Sequence, residues 1–86
     1  MSVNIIEKGM LAKSLAGHDK GHVYVIYDID KTYAYLVDGI NRTIDKPKKK
    51  KRKHLQFICT KHEIAGIDDV AVKRILKLFD KETGRI

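Results

Sequence analysis

The sixteen residues HVYVIYDIDKTYAYLV, His22–Val37, decide how the rest of the chain is read. They hold two runs dense in β-branched and aromatic residues, separated by the polar turn DIDKT. Such residues fit a pleated, half-buried strand better than a helix. N-terminal to them, Met10–Leu15 in GMLAKSLAG reads as a short extended run. It ends at AGHDKG, a compact polar loop bracketed by Gly17 and Gly21. On the other side, Asp38–Gly39 is a short-range hairpin signal. INRTI, Ile40–Ile44, then alternates apolar and polar positions like a returning strand. HLQFICT, His54–Thr60, supplies a fifth strand with Leu55, Phe57 and Cys59 on one face. Five short strands without a crossover helix imply an antiparallel sheet. At this size it is expected to curl into a small barrel and so remove its edges.

The last segment changes period. DDVAVKRILKLFDKETG, Asp68–Gly84, carries Val70/Ala71, Ile75 and Leu78/Phe79 at helical spacing. Asp68 is placed to cap this helix, Asp69 suits its first turn and Gly84 ends it. The apolar stripe is expected to pack on the sheet. The chain of 86 residues thus reads as one domain, a barrel over 9–60 followed by a helical segment over 61–86. A domain of this size leaves little room for an elaborate catalytic cleft.

Charge is unevenly placed. The net charge is +7, yet residues 1–45 hold 5 Lys+Arg against 6 Asp+Glu, and residues 63–86 hold 5 against 5. Residues 46–62 hold 8 against none. The excess therefore sits in IDKPKKKKRKHLQF, Ile44–Phe57, where six cations run from Lys48 to Lys53. Such a run reads as phosphate binding, as a solvated charge run, or as a targeting tag. Pro47 restricts the chain before it and a strand resumes at His54–Leu55. The cations are thereby tethered at both ends, which favours a surface that the fold presents.

GMLAKSLAGHDKGHVYVIYDID, Gly9–Asp30, resembles a KOW motif: an apolar strand, a glycine-containing polar loop, then Lys20–Gly21 leading into an alternating β-run. With DGINRTIDKPKKKKRKHLQ, Asp38–Gln56, the chain looks like the small KOW-domain RNA-binding proteins of Gram-positive bacteria. These are similar to the fourteenth large-subunit ribosomal protein of archaea and eukaryotes. The resemblance covers about Gly9 to Thr60. It implies an SH3-like five-stranded barrel of KOW type that binds RNA, with ribosomal RNA of the large subunit as the expected partner. The candidate RNA-binding residues are Lys13, then Gly17, His18, Lys20 and Gly21 in the loop that the resemblance places at RNA, and Arg42. The basic flank adds Lys46, Lys48, Lys49, Lys50, Lys51, Arg52, Lys53 and His54. The family often has arginine where this chain has His18. Lys61 is a further candidate for the RNA backbone, with Arg42 and Lys20 fixing orientation.

Other chemistries have thinner support. Tyr24, Tyr27, Tyr33 and Tyr35 offer ring faces for unpaired bases, though tyrosine is an ordinary barrel residue. His18, His22, Cys59 and His62 form a His-x3-His and a Cys-x2-His, a weak zinc pattern. Cys59 with His62 is a poor nucleophile–base pair, since a lone cysteine in an apolar strand usually packs. No phosphate-cradling GxxxxGK and no convincing acid pair are present, so neither an enzyme nor a cofactor is expected. One cysteine permits no internal disulfide, and no long apolar run marks a signal or a membrane span. A cytoplasmic monomer is the expectation. The contrasting function is a protein-interaction module, its basic segment docked on an acidic partner and its helix making contact.

Overall fold

The computed structural model describes residues 6–82, without the side chains of Cys59 and Glu82. Five antiparallel strands are followed by one helix: β1 (Met10–Ser14), β2 (Val23–Ile29), β3 (Tyr33–Val37), β4 (Lys48–Lys51), β5 (Leu55–Lys61) and α1 (Asp69–Glu82). Their order across the sheet is β4-β3-β2-β1-β5. The edge strands β4 and β5 are nonetheless consecutive in sequence, separated by a single 3-10 turn, Arg52–His54. Four Cα steps from Lys51 to Leu55 reach at most about 14 Å. Four inter-strand gaps of a flat sheet cover about 19 Å. The sheet therefore has to curl to let β4 run into β5, and it forms an open half-barrel. Among the described residues no ladder joins β4 to β5, so the barrel expected to abolish its edges keeps two.

The strand expected at Ile40–Ile44 does not form. Asp38 Oδ1 instead accepts the backbone N–H groups of Ile40, Asn41 and Arg42 at 2.9, 3.0 and 2.9 Å. Asp38 N and Gly39 N donate in turn to the Arg42 carbonyl. A carboxylate that captures three successive amides holds them in a loop, where a ladder would need them free. The strand beside β3 is the lysine run itself, with Tyr33 opposite Lys51, Ala34 opposite Lys50, Tyr35 opposite Lys49 and Leu36 opposite Lys48. Lysine is a weak strand former, but an exposed edge of β3 is a template, and lysines on an edge strand discourage pairing with another chain.

Each face of the sheet carries an apolar cluster. The inner face gathers Met10, Ala12, Tyr24, Ile26, Ala34, Leu36 and Leu55, with Phe57 packed against them. The outer face presents Leu11, Val25 and Val37 to Val72 of α1, with Ile75, Leu76 and Phe79 alongside. Tyr27 follows Val25 on the outer face by alternation, and a bulge in β2 between Ile26 and Asp28 then shifts the phase so that Ile29 joins the inner cluster. Asp68 caps α1, its Oδ1 accepting Ala71 N at 2.9 Å. The buried stripe is shifted from the expected one: Val72 is fully buried, while Val70 and Leu78 are exposed. The Asp69 carboxylate ties the helix to the preceding loop by accepting Ile44 N at 2.9 Å. Gly84, expected to end the helix, lies outside the described residues.

Candidate nucleic-acid interface

Strand alternation divides the lysine run in two. Lys48 and Lys50 share the inner face with Leu36 and Ala34, while Lys49 and Lys51 share the outer face with Tyr35 and Tyr33. The inner pair is not free. Lys50 Nζ lies 3.2 Å from Asp19 Oδ1 and 3.0 Å from the Ala16 carbonyl oxygen. Lys48 Nζ lies 3.6 Å from Asp19 Oδ2. The side chains of Lys50 and Asp19 are 12% and 16% exposed, so the long lysine stems lie along the rim of the inner face while their ammonium groups close on one carboxylate. The outer pair is exposed, and Lys49 Nζ sits 4.3 Å from the centroid of the Tyr33 ring. Lys53 is exposed as well.

Asp19 is the centre that this partition depends on. Ser14 Oγ donates to its Oδ1 at 2.8 Å and Tyr24 Oη to its Oδ2 at 2.7 Å. Burial pushes the Asp19 carboxyl towards protonation, but the hydrogen bonds from Tyr24, Ser14 and Lys50 and the charge of Lys48 together outweigh it. The group is held well below the ordinary carboxylate range. Burial and the Asp19 carboxylate together push the Tyr24 phenol well above its ordinary value, so that tyrosine stays a donor. Tyr24 therefore belongs to the core.

The AGHDKG loop has less to offer a phosphate than two glycines suggest. Lys20 N donates to the Gly17 carbonyl, Gly21 N to that of Ser14 and His22 N to that of Asp19, so these three amides are engaged internally. Gly17 and Gly21 are needed for φ of 88° and 91°, a conformation that side-chain-bearing residues rarely adopt. The side chains of His18 and Lys20 do project into solvent, and Lys13 is half-buried.

The remaining candidates separate by role. Arg52 is structural: Nη1 donates to the Asp30 carbonyl at 3.0 Å and its backbone N to that of Thr32, pinning the β2–β3 turn to the 3-10 turn. Arg42 and Lys46 are exposed and His54 is half-buried. Lys61 is paired with Glu7 at 2.8 Å. His22 Nε2 lies 3.0 Å from Asp38 Oδ2, and burial of Asp38 is outweighed by its bonds to the Arg42 and Ile40 amides and to His22, which lower its pKa. Among the described residues no three His, Cys, Asp or Glu side chains are grouped to hold a metal, and the Cys59 side chain lies outside them.

Sequence reasoning missed Asp19 and Asp38. Each is a single acidic letter in a polar loop, and the partners of Asp19 lie as far as 31 residues away. No spacing pattern announces such a contact. Among the described residues no helix is long and apolar enough to cross a membrane.

Two clefts flank the sheet. One, of about 680 Å³, runs between Val23, Ile40 and α1, with Lys73, Arg74 and Lys77 on its rim. The other, of about 900 Å³, is lined by Glu7, Lys8, Tyr27, Lys61 and His62. Compared with protein-family models and with curated proteins, the chain matches no family model and no curated protein.

Proposed function

We propose that this protein binds RNA through the exposed half of its lysine strand. The observation that supports this most directly is the fixed alternation of β4, which turns Lys49 and Lys51 outward beside Tyr33 and Tyr35 while Lys48 and Lys50 share the Asp19 carboxylate. Phosphate binding needs cations that are not already closed on a carboxylate; among the described residues neither Lys49 nor Lys51 forms a salt bridge, although the Lys49 charge is felt by the Asp30 carboxylate. Lys53 extends the row past the strand, and Lys46, Arg42, Lys20 and His18 supply further exposed basic groups.

The curled half-barrel with its C-terminal helix is compatible with an SH3-like domain of KOW type. The resemblance in Gly9–Thr60 favours large-subunit ribosomal RNA as the target. On this reading the protein works in the cytoplasm as a ribosome-associated or translation-related factor. The mechanism is electrostatic and shape-based and involves no catalysis.

Sedimentation with ribosomal particles across a salt series tests the ribosomal part. The protein is expected to travel with the large subunit at low salt and to be released as salt rises, because each phosphate contact contributes about −0.7 to −0.9 to the log–log slope. Protein that stays at the top of the gradient at low salt would remove the ribosomal target.

A further inference from the structure

From the same outer face we infer a binding site for unpaired nucleotides, with bases stacked on Tyr33 and Tyr35 and phosphates held by Lys49 and Lys51. The inference rests on the RNA-binding reading and adds the kind of RNA. Tyr33, Tyr35 and Val37 share one face of β3 by alternation. Val37 is fully buried in the cluster that α1 covers, whereas Tyr33 and Tyr35 lie further along the strand and are half-open. The helix thus leaves this end of the outer face uncovered.

The Cα atoms of Tyr33 and Tyr35 stand about 7 Å apart along the strand, with a lysine directly across the ladder from each. The rings are also pre-positioned. Tyr35 Oη donates to Asp30 Oδ2 at 2.9 Å, and the Asp30 carboxylate itself accepts the amides of Thr32 and Tyr33 at 2.9 and 2.7 Å. Lys49 rests over the Tyr33 ring, a weak contact at an exposed site that a phosphate draws away, uncovering the ring for a base.

Charge gives the patch a direction. Across β3 from Lys49 lies Asp28, opposite Tyr35 on β2, with Asp30 at the end of that strand. Lys8 Nζ lies 3.8 Å from Asp28 Oδ1 and offsets that charge in part, so a phosphate backbone is repelled chiefly by Asp30 and is attracted to the edge strand. The strand of RNA therefore runs along β4 with its bases turned inward over the tyrosines. A duplex keeps its bases stacked within itself and offers them to no protein ring.

Binding of a ten-nucleotide unstructured RNA and of the ten-base-pair duplex containing it, at equal salt, tests this. Electrostatics alone favours the duplex, which carries the denser charge. Tighter binding of the single strand by wild type is the expected result. Tyr33→Leu and Tyr35→Leu should each weaken single-strand binding by about 5- to 100-fold, with duplex binding almost unchanged. Tyr33→Phe should stay close to wild type. Tyr35→Phe, which keeps the ring but loses its bond to Asp30, should fall between wild type and Tyr35→Leu. Duplex binding equal to or tighter than single-strand binding, with the leucine variants unaffected, would overturn the inference and leave RNA binding standing. Failure of both RNAs to bind at low salt would remove both. The wild-type comparison decides the matter even where a leucine variant folds poorly.

Discussion

Asp19→Ala is expected to destabilise the protein by about 3 kcal/mol, a loss of roughly 12–20 °C in melting temperature for a domain of this size. The substitution leaves Lys48, Lys50, Tyr24 and Ser14 facing a site where their common acceptor has gone. Two largely buried ammonium groups then repel each other next to an unpaired phenol. Ser14 Oγ keeps only the Ala16 carbonyl at 3.0 Å, and β4 is tied to the loop after β1 only by Lys50 Nζ on that same carbonyl. Asp19→Asn keeps an acceptor but loses the charge, so it should fall between alanine and wild type. Thermal melts at neutral pH measure both.

The same carboxylate sets the acid limit. Asp19 and Asp38 are held below their ordinary value of 3.8 in the folded state, so the unfolded chain takes up protons first as pH falls. Their contribution is present in full well above pH 4 and is lost as pH drops below about 4. Asp19→Asn should be less stable than wild type at neutral pH and should show a shallower loss below pH 4. A parallel loss in both proteins would mean that Asp19 does not titrate as its surroundings require.

The second large effect separates neighbouring lysines. Neutralising Lys49, Lys51 and Lys53 together to Gln should reduce the log–log salt slope of RNA binding by about 2 to 3. It should weaken binding about 100-fold near 0.1 M salt, with the melting temperature almost unchanged. Neutralising Lys48 and Lys50 to Gln should do the reverse: the slope changes by less than about 1, and the melting temperature falls by several degrees because Asp19 is left buried without its cations. Binding isotherms over a salt series and melts of both variants read the two effects independently. Equal slopes for the two variants would mean that the strand alternation has no bearing on binding.

Much of the fold follows from local chemistry. The β-branched and aromatic runs at Val23–Ile29 and Tyr33–Val37 form strands because their alternate residues reach two cores. Asp68 caps the helix because its carboxylate meets the Ala71 amide. The errors share a cause, which is competition decided at long range. INRTI has a strand pattern, but the Asp38 carboxylate takes its amides first. KKKK has a poor strand pattern, yet the open edge of β3 recruits it. On α1, Val72, Ile75, Leu76 and Phe79 form a stripe as regular as the one expected, and only packing against the outer face of the sheet chooses between them. The candidate site was legible in composition, since the charge excess marks the segment. Which lysines serve the fold depends on an aspartate elsewhere in the chain, so residue order alone does not divide them.

Lysine acetylation footprinting with and without ribosomal RNA tests the central claim most directly. The exposed ammonium groups of Lys49, Lys51 and Lys53 should react readily in free protein and become protected when RNA is bound. Lys48 and Lys50 should react slowly in both states because Asp19 holds them. Lys73 and Lys77 on the helix should react equally with and without RNA. Protection confined to Lys73 and Lys77, with Lys49, Lys51 and Lys53 still reactive, would contradict the account and move binding to the cleft beside the helix.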